Sequence, residues 1–311
     1  MPHDPTAANS ALAAAGLVAI DVHTHVHFST SRALSEEGGA RMSEMKEHFK
    51  SDVLGMDVRQ LAAYYRERKM AAVAFTIDSL GDVAEHAPTN EEIGEAGAEF
   101  PDAIIPFGSV HPQRGKAGAK IARRLIEDHG IRGFKFHPST QEFYPNDRVA
   151  FPIYDVLAEY GVPALFHTGQ NGVGAGTKGG GGIRLKYSDP LFLDDVAVDF
   201  PDMPIIMAHP SFPWQDTALA VATHKAQVYI DLSGWSPKYF PAQLVQYANT
   251  LLKNKVLFGT DFPLFTPERW MADLEKTEVR DSVKPGIMLH NAARLFGITL
   301  PEPAGDGAGA R

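Results

Sequence analysis

The stretch LVAIDVHTH, residues 17–25, decides the fold class of this chain. It is an apolar run rich in β-branched residues that ends in a polar triplet, which is typical of a buried strand. Side chains alternate between the faces of a strand, so His23 and His25 share one face and Thr24 points away. Two imidazoles at a strand end can bind one cation at about 2.0–2.1 Å from each nitrogen. The stretch alone also fits a surface histidine beside a core histidine.

The composition predicts one large globular domain. A chain of 311 residues accommodates a single α/β barrel, a fold of about 250 residues that tolerates insertions. Apolar residues make up 44% and charged residues 22%, which indicates a substantial core. The net charge of −9 without a basic run argues against nucleic acid and anionic membranes as partners. Because cysteine is absent, a metal site must use histidine, carboxylate or a modified lysine.

The N-terminal residues bear on localisation. No stretch is apolar for long enough to span a bilayer. Residues 11–20 have the length of a signal-peptide core, but no lysine or arginine precedes them and they run directly into the histidine pair. We therefore expect a cytoplasmic protein.

Eight short apolar runs alternate with amphipathic helical stretches. The runs are residues 17–25, 71–78, 103–112, 133–138, 163–169, 204–210, 228–234 and 256–263. The helical stretches include residues 57–69, 118–129, 152–160, 194–200 and 241–252. Runs that are apolar throughout suit parallel strands buried on both faces. Eight strand–helix units in order predict an α/β protein with a (β/α)8 TIM barrel, and a doubly wound sheet is the competing fold.

Several segments lie outside the repeating pattern. We expect a flexible N-terminal extension over residues 1–16, a barrel domain over 17–300 and a disordered tail over 301–311. A long insertion, residues 26–56, follows strand one, and a glycine-rich loop, residues 170–189, follows strand five. Both follow strands, so both lie at the barrel mouth where active sites form. Each is a candidate lid, with a solvated loop as the alternative.

Polar residues cluster at the predicted carboxyl ends of the strands. Six of the thirteen histidines lie there: His23, His25, His111, His137, His167 and His209. Asp261 ends the eighth strand. In a barrel these ends share one rim, so residues far apart in sequence converge on one pocket. Chance clustering is the weaker explanation.

Four motifs resemble those of the amidohydrolase superfamily, in the same order along residues 17–297. They are HTH at 23–25, FHTG at 166–169, AHP at 208–210 and GTDFP at 259–263. More narrowly the chain resembles the amidohydrolase family 2 branch, which includes 2-amino-3-carboxymuconate-semialdehyde decarboxylase, resorcylate-type decarboxylases, and lactone and C–C hydrolases. Five further runs are similar to 4-hydroxyphenyl-β-ketoacyl-CoA hydrolases: KFHP (135–138), YPND (144–147), GAGT (174–177), GGGGIRLKYS (179–188) and DLSGWSPKYF (231–240).

The resemblance implies a metal site and a reaction. His23, His25, His167 and Asp261 would bind one divalent metal, with zinc as the first choice and manganese as the alternative. Water bound to such an ion has its pKa lowered to about 7. Asp261 would also accept that water's proton, and His209 would polarise the substrate or move protons.

Lys135 and His137 lie at the end of the fourth predicted strand. In some branches of the superfamily a carboxylated lysine at this position bridges two metals. Lys135 is alternatively a cation for the substrate or a buttress paired with Asp261, and we favour substrate binding. His137 either lines the pocket or caps the turn before Pro138.

The loops after strands five and seven supply further candidates. Exposed backbone N–H groups together with Arg184 and Lys186 could hold a phosphate or carboxylate, with a mobile lid as the alternative. Trp235 could pack against an aromatic substrate, with core packing as the alternative.

The leading functional hypothesis is a metal-dependent hydrolase that attacks a carbonyl, with C–C cleavage of an aromatic β-ketoacyl-CoA as the preferred substrate. The alternative is a non-oxidative decarboxylase of an aromatic or muconate-type acid. A non-enzymatic metal-binding barrel is a third class, against which the density of acid and base groups argues. The partner is a small-molecule substrate, and the resemblance implies a homodimer.

Overall fold

The eight predicted strands are present and parallel in the computed structural model, which describes residues 5–32, 55–79 and 88–301. They are β1 Ala19–His25, β2 Met70–Phe75, β3 Ile104–Pro106, β4 Phe134–Phe136, β5 Ala164–His167, β6 Ile205–Ala208, β7 Val228–Asp231 and β8 Val256–Leu257. Each strand pairs with its sequence neighbour within two ladders, β1–β3 and β4–β8. Backbone hydrogen bonds join the ladders at both junctions, from Lys135 N to Gly108 O at 2.8 Å and from Val22 N to Phe258 O at 3.0 Å. The barrel is therefore closed.

Helices alternate with these strands. They are α1 Pro5–Ala14, α2 Val58–Glu67, α3 Asn90–Glu99, α4 Gly115–His129, α5 Pro138–Gln141, α6 Phe151–Tyr160, α7 Phe192–Asp199, α8 Gln215–His224, α9 Ala242–Ala248, α10 Pro267–Leu274 and α11 Asn291–Leu295. None of the helices in the described residues is long and apolar enough to cross a bilayer.

Local sequence explains where several helices begin and end. Asp57 begins α2 as an N-cap whose carboxylate accepts backbone N–H bonds, and Gln60 completes the capping box. Gly130 and Gly161 end α4 and α6 with φ of 63° and 61°, the left-handed conformation that is typical of a glycine at a helix C-terminus.

Two apolar layers surround the strands. The inner layer fills the barrel and includes Ile20, Val22, Val73, Phe75, Leu165, Ile206 and Leu257. The outer layer packs the strands against the helices and includes Ala19, Ala72, Ala74, Phe134, Phe166, Met207 and Val228. Strand residues alternate between the two layers, as expected for strands buried on both faces.

The N-terminal segment differs from the expected flexible extension. Helix α1 packs at the end of the barrel where the strands begin, with Leu12 fully buried. Asn9 Nδ2 donates to Gly297 O at 3.0 Å, and Arg132 Nη2 donates to Asn9 Oδ1. An alanine-rich segment has high helix propensity, and burial of Leu12 fixes the helix in place. Residues 1–4, most of the predicted insertion (33–54) and the tail from residue 302 lie outside the described residues.

Candidate metal centre

A β-bulge in β1 determines where the histidine pair points. Asp21 lies opposite Ala72 and Thr24 opposite Ala74, so β1 has one residue more than β2 between these pairs. Val22 before the bulge faces the barrel interior, and after it His25 lies opposite Phe75, an interior residue. Without the extra residue, His23 and His25 would share the outward direction of Asp21. The bulge therefore turns both imidazoles into the barrel mouth.

Three donor atoms converge at the end of β1. His23 Nε2 lies 3.3 Å and His25 Nε2 lies 3.0 Å from the same oxygen, Asp261 Oδ1. His23 is buried, whereas His25 and Asp261 are partly exposed. These residues form a group whose ligand atoms lie within 4.8 Å of one another and could hold a metal ion. The pairing of strand one with the eighth strand's aspartate thus has the geometry that the sequence predicts.

Asp231, at the end of β7, fixes the orientation of the His23 ring. Its Oδ2 accepts a hydrogen bond from His23 Nδ1 at 2.9 Å, and its Oδ1 accepts one from Ser233 N at 2.8 Å. Burial by itself raises the pKa of Asp231, but the interactions with His23 outweigh burial and hold that pKa well below its usual range. With Nδ1 as the donor, the Nε2 lone pair of His23 faces Asp261.

A chain of hydrogen bonds sets the tautomers of His209 and His167. His209 Nδ1 donates to Ser233 O at 3.0 Å, which leaves its Nε2 as an acceptor for His167 Nδ1 at 3.0 Å. His167 Nε2 is then a lone pair, buried and without a hydrogen-bond partner among the described residues. Burial lowers the pKa of both imidazoles, so both are neutral. A neutral imidazole whose lone pair accepts no hydrogen bond can bind a metal ion.

Strained turns follow β6 and β8. His209 and Asp261 have φ of 70° and 62°, in the left-handed region that residues other than glycine rarely adopt. Gly234, with φ of 71°, leaves room for them, because a Cβ there would lie 2.7 Å from His209 Nδ1. Such outliers concentrate at functional sites.

Lys135 is fully buried beside the donor group. Its Nζ lies 3.1 Å from His23 Nε2, and this is its only hydrogen bond within the described ranges. Burial lowers the pKa of Lys135 to about 8, while the charges of Asp231 and Asp261 oppose that shift. The side chain contacts His23 rather than pairing directly with Asp261.

The other predicted histidines divide into two cases. The His137 ring stacks on that of His167 at 4.1 Å and makes no capping bond, so it lines the site; its Nδ1 is buried and unpartnered in the described part of the chain. His111 instead caps the 3₁₀ turn Pro112–Arg114, its Nδ1 accepting from Gln113 N at 3.2 Å.

The loop candidates lie at the rim with partners of their own. Arg184 is exposed and forms an ion pair with Glu142 at 3.6 Å. Lys186 Nζ lies over the rings of Tyr144 and Tyr187 at 5.4 and 5.1 Å. Their contacts do not join them to the histidine cluster.

Trp235 follows Gly234 and is half-buried, with its ring 5.9 Å from that of Phe212, which is 43% exposed. Trp235 is thus next in sequence to Gly234, whose Cα lies against His209.

Sequence reasoning missed three site residues. Asp231 ends the apolar run of β7, and an acidic residue at the end of a predicted strand could have identified it as a site residue. Asp21 lies within an apolar run and is fully buried. His27 continues the alternation of the histidine pair; its ring lies 5.8 Å from that of His25, and its Nδ1 is buried without a partner in the ranges described.

The donor set fits a divalent metal. The lone pair of His23 Nε2 and the carboxylate oxygen of Asp261 face each other at 3.3 Å, and a divalent cation between them would take the place of the hydrogen bond from Lys135 Nζ to His23 Nε2. His25 adds a second nitrogen, and nitrogen and oxygen donors suit both zinc and manganese. His167 is not part of this group, in which every ligand atom lies within 4.8 Å of the others; its Nε2 is buried without a partner among the described residues.

Fold and site together define a (β/α)8 barrel with histidines and an aspartate gathered at the carboxyl ends of its strands. A family model described as amidohydrolase matches residues 20–298. The chain therefore belongs to amidohydrolase family 2, as its motifs predict.

Similar solved structures share the fold. An uncharacterized TIM-barrel protein from Bordetella bronchiseptica is 21% identical, with a TM-score of 0.67 over 90% of this chain and 98% of that chain. A dihydroxybenzoic acid decarboxylase from Polaromonas, solved with manganese and 2-nitroresorcinol, is 16% identical, with a TM-score of 0.64 over 92% and 98%. 5-Carboxyvanillate decarboxylase from Sphingomonas paucimobilis is 16% identical, with a TM-score of 0.61 over 91% and 100%. A comparison with curated proteins finds no match.

Proposed function

We propose that this protein is a divalent-metal-dependent decarboxylase that releases CO2 from a small aromatic or muconate-type carboxylic acid. The observation that carries the proposal is the fully buried side chain of Lys135, whose Nζ lies next to the donor group of His23 and Asp261. A buried cation attracts a substrate carboxylate strongly because the surroundings have a low dielectric constant. The decarboxylases of aromatic acids among the similar structures support this choice over hydrolysis.

His23, His25, His167 and Asp261 would hold the metal. A divalent ion there would act as a Lewis acid that orients the acid and withdraws electron density from its oxygens. The manganese in the Polaromonas decarboxylase makes manganese the first ion to test, with zinc as the second.

Asp261 would move the proton. Burial by itself raises the pKa of Asp261, but the neighbouring His23 and His25 hold it well below the usual range. Once protonated, such a group is a strong acid, able to protonate a weakly basic ring carbon. The proton adds to the carbon that bears the carboxylate, the C–C bond breaks, its electron pair returns to the ring, and CO2 leaves. Asp261 then regains a proton from solvent.

The remaining residues would bind and orient the substrate. Lys135 would pair with its carboxylate, and His137 Nδ1 would add a hydrogen bond. His209 would hold His167 in the ligating tautomer through the 3.0 Å contact between their rings. Trp235 and Phe212 would pack against the aromatic ring.

Hydrolysis of an aromatic β-ketoacyl-CoA ranks second. It needs cations that are free to hold phosphates, and Arg184 already pairs with Glu142 while Lys186 lies against two tyrosines. The contacts of Arg184 and Lys186 therefore give the thioester hypothesis no support.

The test is product analysis with the manganese-loaded protein. Aryl carboxylic acids, aryl esters and β-ketoacyl thioesters are incubated separately, and CO2 and free acid are both quantified. We expect CO2 and the decarboxylated arene from at least one aryl acid. Free acid from esters or thioesters, without CO2 from any acid, would contradict the proposal and favour hydrolysis.

A further inference from the structure

The carboxylate of Asp21 is fully buried beneath the metal centre and accepts four hydrogen bonds. The donors are His23 N at 3.1 Å and Thr260 N at 3.0 Å to Oδ1, and the hydroxyls of Tyr65 and Thr260, each at 2.6 Å, to Oδ2. No cationic side chain in the described residues forms an ion pair with it.

These hydrogen bonds connect the two chain segments that carry proposed ligands. The N–H of His23 lies within the bulge and bonds Asp21 rather than a neighbouring strand. Thr260 directly precedes Asp261, and Asp261 N donates to His23 O at 2.9 Å. Asp21 therefore fastens the bulge of β1 to the segment that follows β8.

An unpaired buried carboxylate is costly, which argues for a function. Burial away from water and without a counter-ion destabilises the ionised carboxylate, and its four hydrogen bonds offset that cost. Apolar residues fill most of the layer between strands and helices around it. A residue needed only for packing would be apolar here.

We infer that Asp21 is a positioning residue: its hydrogen bonds to His23 N and Thr260 set the bulge that turns His23 inward and hold Asp261 beside it. The inference rests on the proposed metal site. It assigns Asp21 no contact with the metal or the substrate.

The test compares two substitutions in the full chain by manganese binding, measured from the electron paramagnetic resonance of free Mn²⁺. Asp21→Ala leaves all four donors without an acceptor, and we expect its Kd to rise about 10–100-fold. Asp21→Asn keeps an oxygen for the two N–H groups, and its amide can donate to the two hydroxyls. We expect its Kd within about threefold of wild type.

Two controls separate positioning from lost stability. Tyr154→Phe removes a buried hydroxyl that bonds Pro145 O at 3.0 Å, away from the donor atoms, and should lower stability without changing the Kd. If Asp21→Ala fails to fold, Thr260→Val replaces it, because this substitution removes one hydroxyl that donates to Asp21. Thr24→Val is the matched control for Thr260→Val, because the Thr24 hydroxyl donates to Val73 O at 2.7 Å and not to Asp21. We expect weaker binding only for Thr260→Val.

A measurement without metal distinguishes a failure of the positioning role of Asp21 from a failure of the proposed function. Hydrogen exchange at the amides of His23 and Thr260 should be about fivefold faster in Asp21→Ala than in wild type without any ion. Unchanged exchange, or an unchanged Kd in Asp21→Ala, would overturn the positioning role. A Kd for Asp21→Asn as poor as that for Asp21→Ala would overturn it too. Wild-type protein that binds no manganese would instead overturn the proposed function.

Discussion

The candidate metal centre has two sides that differ in how their polar atoms are satisfied. The carboxylate side comprises His23, His25, Asp231 and Asp261; the imidazole side comprises His137 and His167. On the carboxylate side, His23 contacts an aspartate through each of its ring nitrogens, and His25 contacts one through Nε2. On the imidazole side, His167 Nε2 and His137 Nδ1 are buried with no partner among the residues described.

The protein's own side chains contact the polar atoms of the carboxylate side, whereas a ligand is needed to contact those of the imidazole side. The hydrogen bonds of the His23 ring to Asp231 and Lys135 orient the carboxylate side in advance. The imidazole side leaves costly unpaired nitrogens, which a bound ion and a bound acid would satisfy. His209 joins the two sides, since its Nε2 contacts His167 Nδ1 and its backbone N–H donates to Asp231 Oδ1.

Removing both histidines of β1 should break the carboxylate side completely. In His23→Ala with His25→Ala we expect no bound manganese and a fall in kcat/KM of about 10³–10⁴-fold, because an ion contributes several kcal/mol to the transition state. Elemental analysis and CO2 release measure both effects. The control is His224→Ala with His290→Ala, two exposed histidines, which should behave like wild type. Full metal occupancy in the first variant would show that the ligands lie elsewhere.

Asp261→Asn tests the carboxylate side as a proton carrier. The amide keeps one oxygen that can ligate but cannot accept a proton, so kcat should fall by about 10²–10³-fold. Metal content is measured in the same sample. Near-normal turnover with metal retained would leave Asp261 as a ligand without a catalytic step.

Asp231→Asn tests orientation rather than chemistry. Asparagine forms a weaker hydrogen bond with His23 Nδ1 than aspartate does, so the manganese Kd should rise by about 10–100-fold. Asp273→Asn is the control, because Asp273 on α10 accepts a hydrogen bond from the Ser236 hydroxyl and has no contact with the histidines of the site among the described residues. Equal effects of the two substitutions would argue for general destabilisation.

His137→Phe tests the imidazole side. Phenylalanine preserves the stack on His167 but removes Nδ1, so KM for an aryl acid should rise about tenfold while the manganese Kd stays within about threefold. A weakened metal site with unchanged KM would reverse the assignment of His137 from substrate to ion.

The smallest effect is expected at the rim. Arg184→Gln with Lys186→Gln should change KM for a small aryl acid by less than about twofold, because both cations have other partners. A strong rise in KM confined to coenzyme A thioesters would revive the hydrolase hypothesis.

The sequence predicts the barrel because buried parallel strands are apolar throughout, and it predicts the histidine pair because their spacing follows strand alternation. The sequence does not predict that the two imidazoles face the interior of the barrel. That depends on the bulge, which adds one residue after Asp21 and is held by hydrogen bonds to Thr260, 239 positions away. The ring orientation of His23 depends similarly on Asp231. Contacts between distant strands leave no local pattern, so only the three-dimensional structure reveals them.

The position of a bound ion tests the two-sided site most directly. Zinc is a suitable probe because its bonds to imidazole nitrogen have a well-defined length of about 2.0–2.1 Å. Anomalous diffraction at the zinc edge from soaked crystals should give one peak at that distance from the Nε2 atoms of His23, His25 and His167, beside the carboxylate of Asp261. A peak within the other candidate group, among His23, His209 and Asp231, or no peak at the barrel mouth, would contradict the account.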